Sequence, residues 1–332
     1  LRSIESFEGT LYDAAGNKIK SLKKSDVKDE PGSSDASNLA DDNRIKWHNF
    51  YYKQYPFTVE YEVEIKYKGT MFLPHWIPQE RPVMGVQQSK ITVISPSSNP
   101  LKYKTFNYKE DPVISTDSKL NRIHTWEVKD IKPGISEFKS PEWYELTTSL
   151  FMATEKFELE DYEGSNSSWK EFGKFVYDLK KGKDELSSEE KQKVHQLLTG
   201  ITDVNKKIEV LYKYMQENTR YISISLGIGG WQPFDAKYVS SKKYGDCKAL
   251  SNYMYALLKE ADIRSVYTVT GRGFDLNYFL PDLPCSQFNH VILFVPNGND
   301  TTWLECTSQS LPAGYVGVDN CNRQALAVDE NG

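Results

Sequence analysis

The feature that most limits what this chain can fold into is a change of apolar period partway along it. From Phe57 to Tyr67 apolar and polar residues alternate strictly, which puts Phe57, Val59, Tyr61, Val63, Ile65 and Tyr67 on one face. A period of two marks a half-buried antiparallel strand. Lys90-Ile-Thr-Val-Ile-Ser95 and Ile123-His-Thr-Trp-Glu-Val128 read as further strands, closed by turn signals at Pro96 to Ser98 and at Pro133-Gly134. The stretch 29–42, rich in Ser, Asp, Asn and Gly, reads as a mobile loop. From Trp169 the period becomes helical, with Trp169, Phe172, Val176 and Leu179 recurring at i, i+3, i+7 and i+10. Ser187 with Glu190 forms a capping box for a second helix ending near Gly200. A third starts at Thr202 or Asp203 and aligns Ile208, Leu211, Tyr212 and Met215. A fourth carries a stripe of Cys247, Leu250, Met254, Leu257, Leu258 and Ala261. Strand-like runs at 265–270, 290–295 and 301–307 complete the pattern. The second half is therefore α+β, helices first and an antiparallel sheet after. The expected division is a β-rich domain over 1–140, a linker over 141–168 and an α+β domain over 169–332.

Composition removes several functional classes. The 332 residues carry a net charge of −5, without the basic excess of a nucleic-acid binder. The longest strongly apolar run, 291–295, is far short of a membrane span. No charged-then-apolar leader opens the chain, so it reads as processed or cut from something longer. Four cysteines, Cys247, Cys285, Cys306 and Cys321, are too few for a disulfide scaffold and show no C-x-x-C spacing for zinc or redox work. His48, His75, His124, His195 and His290 include no H-E-x-x-H, and Gly227-Ile-Gly-Gly230 lacks a nucleotide-loop spacing and reads as a turn. No cofactor or metal is expected.

What remains is one cysteine and one histidine in suitable settings. In Lys243-Tyr-Gly-Asp-Cys-Lys248, Gly245 permits a tight turn, Asp246 is a good N-cap, and Cys247 takes the first helical position. A thiol there meets unpaired backbone N–H groups and the positive end of the helix dipole, which favour a thiolate nucleophile and can hold an oxyanion. The competing reading is a small, inert core cysteine. Asn297-Gly298 is a strong two-residue hairpin signal. With those two as the turn, His290 falls directly opposite Glu305 and on the same face, where a carboxylate can orient the ring. Cysteine, histidine and carboxylate in this order supply nucleophile, base and orienter. Asp300 and Asp319 are the next carboxylates in reach. Gln232, through its side-chain amide, or Trp231, through its indole N–H, could donate to an oxyanion.

These residues also carry a resemblance. Tyr244-Gly-Asp-Cys-Lys248, Phe288-Asn-His-Val291 and Trp303-Leu-Glu-Cys-Thr307 resemble, in order and spacing, the three motifs of bacterial transglutaminase-like proteins. The resemblance runs over about 203–323 and implies a papain-like core, with Cys on a helix start and His and an acid on adjacent strands. Glu305 stands where many relatives have Asp. Lys20-Ser-Leu-Lys-Lys-Ser-Asp-Val27 and Ser140-Pro-Glu-Trp143 resemble the β-rich domain of unknown function that often precedes this core. The implied architecture is an N-terminal antiparallel β-sandwich, lacking its start, followed by a transglutaminase-like α+β core. The resemblance further implies an exported bacterial protein, periplasmic or at the cell surface, acting on a peptide or protein amide. The expected activity is hydrolysis through a thioester. The alternatives are a crosslinking transglutaminase, or a non-catalytic binding module using the 7 Trp, 21 Tyr and 15 Phe.

Overall fold

The computed structural model describes residues 2–32, 38–41, 43–273, 278–298 and 300–332. Its first part is built from short antiparallel sheets. Arg2–Tyr12 pairs with Thr58–Tyr67 from Arg2 opposite Tyr67 to Tyr12 opposite Thr58, with a bulge between Ile4 and Ser6. Lys18–Ser21 extends this sheet. Val86–Pro96, Asn121–Ile131 and Val113–Thr116 form a second sheet.

Three sequence expectations need correction here. The alternating face of 57–67 is not half-buried: Tyr61, Val63, Ile65 and Tyr67 are 38–46 % exposed. Alternation requires only that one face differ from the other, and the side chains of this face keep much of their surface in contact with solvent. The 29–42 stretch is not simply a loop. Lys28–Pro31 pairs with Arg44–Trp47, and Asn38–Asp41 runs parallel to Ser223–Ser225 in the second half; residues 33–37 and 42 lie outside the described residues. Residues 141–168, expected as a linker, are structured. They hold a helical turn Trp143–Leu146, the strand Ser149–Thr154 and the hairpin Lys156–Leu159 with Tyr162–Ser165. Every residue of Ser149–Thr154 is buried, and the strand pairs with Leu101–Phe106. The 141–168 segment thus belongs to the packed body.

The second part begins with helices capped as their sequences require. Ser168, Ser187 and Asp203 accept from the backbone N–H three residues on, starting Trp169–Lys180, Ser188–Leu197 and Val204–Asn218. The expected capping box at Ser187 is only half made. Glu190 turns inward and accepts from Tyr214 at 3.0 Å, Ser240 at 2.7 Å and Tyr253, pinning the 188–197 helix to three others. The sheet is antiparallel and four-stranded, in the order Asp300–Leu304, His290–Asn297, Val266–Thr270, Ala325–Val328. Its last strand had no sequence signal. Cys247–Glu260 packs on this sheet with 11 of its residues buried, including Ser251, Asn252 and Tyr253 off the expected apolar stripe. A helix buried nearly all round is a core helix. Asn252 donates its Nδ2 to the Lys183 and Phe234 carbonyls, and the Ser251 hydroxyl donates to the Val291 carbonyl. Among the described residues no helix is long and apolar enough to cross a membrane.

Candidate active site

Cys247 is the first residue of its helix, and the Asp246 carboxylate caps that helix by accepting from Ala249 N–H at 2.9 Å. Gly245 is needed for closeness rather than for turn conformation: a Cβ there would sit 2.8 Å from Ala249 Cβ. The left-handed residue is Lys243, at φ +64°, which ends the helix Ala236–Lys242. Lys248 forms a buried ion pair with Asp246. Burial works against its charge, but the charges of Cys247 and Asp246 outweigh it and raise its pKa.

His290 opens its strand opposite Thr270. The hairpin after it differs from the expected register. Asn297 pairs with Asp300, so the turn lies one residue later and every partner moves by two. Asn299 lies outside the described residues, and Gly298 has φ +59°. Glu305 falls just past the strand end at Leu304 and meets His290 diagonally, Oε2 to Nε2 at 2.8 Å. Its other lone pairs are filled. Thr307 donates its N–H at 3.0 Å and its hydroxyl at 2.6 Å to Oε1, and Asn320 Nδ2 donates to Oε2 at 2.6 Å. The Tyr212 hydroxyl bonds the Glu305 carbonyl at 2.7 Å, which fixes the backbone.

The pair is 5 % and 1 % exposed. Burial alone would neutralise both groups. For His290 the hydrogen bonds and charges of Cys247 and Glu305 win, and its pKa rises to about 9. For Glu305 burial is likewise overcome, here by His290 and Thr307, and its pKa falls. Nε2 is occupied by Glu305, and Cys247 lines the same cavity as His290.

Cys247, Trp231 and His290 line one cavity of about 250 Å³ together with Lys248 and Asn289. Gly230, Trp231, Phe288 and Asn289 keep partial exposure and form its mouth. Trp231 packs against Phe72 of the first half, ring centroids 5.4 Å apart. Gln232 is half-buried next in sequence but does not line the cavity. Asp300 sits at the hairpin tip and Asp319 on a short 3-10 turn, and neither hydrogen-bonds His290. Asn320 and Lys248 were not singled out from sequence. Asn320 carries no pattern that could have found it, whereas Lys248 stood inside the cysteine motif. All four cysteines are free, and only Cys321 is exposed.

Residues 1–135 match the model of a family described only as a domain of unknown function, DUF3857. No curated protein matches the chain. Among solved structures, a candidate protease from Parabacteroides distasonis superposes with a TM-score of 0.65 at 14 % identity, over 94 % of this chain and 57 % of its own. The two share a fold, and the chain spans a little over half the length of that structure. A candidate cysteine protease from Cytophaga hutchinsonii gives a TM-score of 0.31 at 14 % identity, over 79 % of this chain and 88 % of its own. The periplasmic domain of TgpA from Pseudomonas aeruginosa gives 0.28 at 14 %, over 72 % and 76 %.

Proposed function

We propose that the chain is a cysteine-dependent hydrolase of peptides or amides, working through Cys247, His290 and Glu305 and a thioester. One observation carries the reading: a thiol at a capped helix start lines the same cavity as a buried histidine, and that histidine is hydrogen-bonded to a fully hydrogen-bonded carboxylate. In this reading Cys247 Sγ attacks the amide carbonyl carbon, and the π pair moves onto oxygen. Backbone N–H groups of the helix start and the Trp231 indole N–H, with Gln232 as the alternative, stabilise that oxyanion. The tetrahedral centre collapses, the C–N bond breaks, and the His290 imidazolium gives its proton to the departing amine. A water then attacks the thioester, loses its proton to His290, and the acid leaves as the thiol reforms. Glu305 holds the ring and balances its charge throughout. The same reading includes a transglutaminase-like core over 169–332, a sandwich of the earlier sheets, and export from a bacterial cell, which rest on the motif resemblance.

The test mixes the protein with peptide amides and a primary amine and follows products by mass spectrometry. Acid products and a +acyl adduct on Cys247 are expected; amine-linked products instead would move the reading to crosslinking. Iodoacetamide at mildly acidic pH should label Cys247 before Cys285 and Cys306, whose thiols burial pushes up, Cys285 to about 11. Cys247→Ala should lose several orders of magnitude of turnover with little change in stability. A variant destabilised by about 1 kcal/mol or more with turnover intact would leave Cys247 as core packing.

A further inference from the structure

The cavity that starts at Cys247 and His290 runs into apolar surroundings. Its apolar lining is Phe172, Val176 and Leu179 of the 169–180 helix, with Val269, Phe288 and the Tyr267 ring. Most polar groups along it are taken, the Tyr267 hydroxyl and the Trp231 indole N–H apart. The Lys248 ammonium is paired with Asp246. Asn289 accepts from Arg272 N–H at 2.7 Å and donates to the Arg272 carbonyl at 2.9 Å. His290 Nε2 is bonded to Glu305. A charged side chain entering here would give up its water for few partners, which is costly. An apolar one would gain by leaving water. The size also fits. An apolar cavity of about 150 Å³ is enough to hold a benzene molecule, and this one is about 250 Å³. Such a space next to a nucleophile is where the residue bearing the reacting carbonyl can put its side chain.

We infer that this cavity is the subsite for that side chain, and that the protein selects acyl donors carrying Leu, Met or Phe at the residue whose carbonyl reacts. The inference rests on the proposed nucleophile and adds the substrate class. Val176 lines the site from a helix that lies outside the three sequence motifs.

The experiment uses peptidyl vinyl sulfones that differ only in the residue next to the sulfone, with Gly, Ala, Leu, Phe, Asp and Gln compared. The Cys247 thiolate adds to the vinyl group, the displaced π pair goes to the carbon beside the sulfone, and that carbon takes a proton from His290. The rate of Cys247 modification is read by mass spectrometry, with iodoacetamide as a probe that needs no subsite. Leu and Phe probes should react roughly ten-fold or more faster than Gly, Asp or Gln, within the discrimination an apolar pocket achieves. Val176→Phe should cancel that advantage and favour Gly and Ala, while Val176→Ala should move the optimum towards Phe. Thermal melts confirm that both variants are folded, and the two opposite shifts keep the test valid if one is not. A flat probe profile with iodoacetamide still labelling Cys247, or a preference for Asp or Gln, overturns the subsite and leaves the hydrolase reading standing. No labelling of Cys247 by any reagent overturns both.

Discussion

At the scale of single residues, His290 shows how neighbours can outweigh burial. Its ring is held in the charged form by the Glu305 carboxylate on Nε2 and by the influence of Cys247 in the same cavity, although almost no water reaches it. That has a sign in pH. The folded chain keeps a proton on His290 up to about pH 9, whereas the unfolded chain releases it around the ordinary value of 6.5. The stabilisation is therefore complete below about pH 6.5 and is lost as pH rises through about 9. Lys180 acts the other way at the upper end. Burial lowers its pKa to about 8, so the folded chain gives up that proton before the unfolded one does. Urea denaturation should thus show stability falling from pH 6.5 to 8, then levelling. In Glu305→Gln the first slope should flatten, because one of the two groups that raise His290 is gone. An unchanged slope in that variant would mean Glu305 does not govern the His290 proton.

At the scale of elements, the cysteine helix depends on Asp246 for two separate things, a backbone cap and the charge opposite Lys248. Asp246→Asn separates them, since Asn caps as well as Asp. The cap should survive, while Lys248 is left buried beside a neutral amide. Removing one partner of a buried pair is strongly destabilising, so a loss of about 3 kcal/mol is expected. The double variant Asp246→Asn with Lys248→Met should recover most of it in chemical denaturation. Additive losses would show that the pair is not coupled. The hairpin explains why the carboxylate was legible in sequence although its register was not. Asn297-Gly298 marked the turn one residue early, which shifts each partner by two and keeps every side chain on its own face. Glu305 therefore still reached His290, diagonally instead of directly. Asn320, fifteen residues further on, comes back to the same carboxylate through a turn that no periodicity announces. Sheet coverage was equally hidden: alternation at 57–67 gives a strand, but whether anything packs on it depends on elements far away in sequence.

At the scale of the whole molecule, the two halves are joined by more than a tether. The buried strand 149–154 lies inside the stretch expected as a linker and pairs with 101–106, and Phe72 reaches Trp231 beside the cavity. The exposed stretch lies earlier, where Ile135 and Phe138 are 89 % and 93 % exposed. Limited chymotrypsin digestion should cut after Phe138 and spare Phe151 and Phe157, and the two pieces should co-elute in native gel filtration. Early cleavage at Phe151, or pieces that separate, would indicate independent halves. The parallel pairing of Asn38–Asp41 with Ser223–Ser225 carries the matter further. A fragment trimmed to the second half would leave the 223–225 strand bare on the edge where 38–41 now sits, a few residues upstream of Trp231. Bare edges recruit strands from other chains. Such a fragment would be prone to self-association beside the entrance to its own cavity, and a low activity measured on it would report crowding of that entrance by sister chains rather than the chemistry of the cysteine.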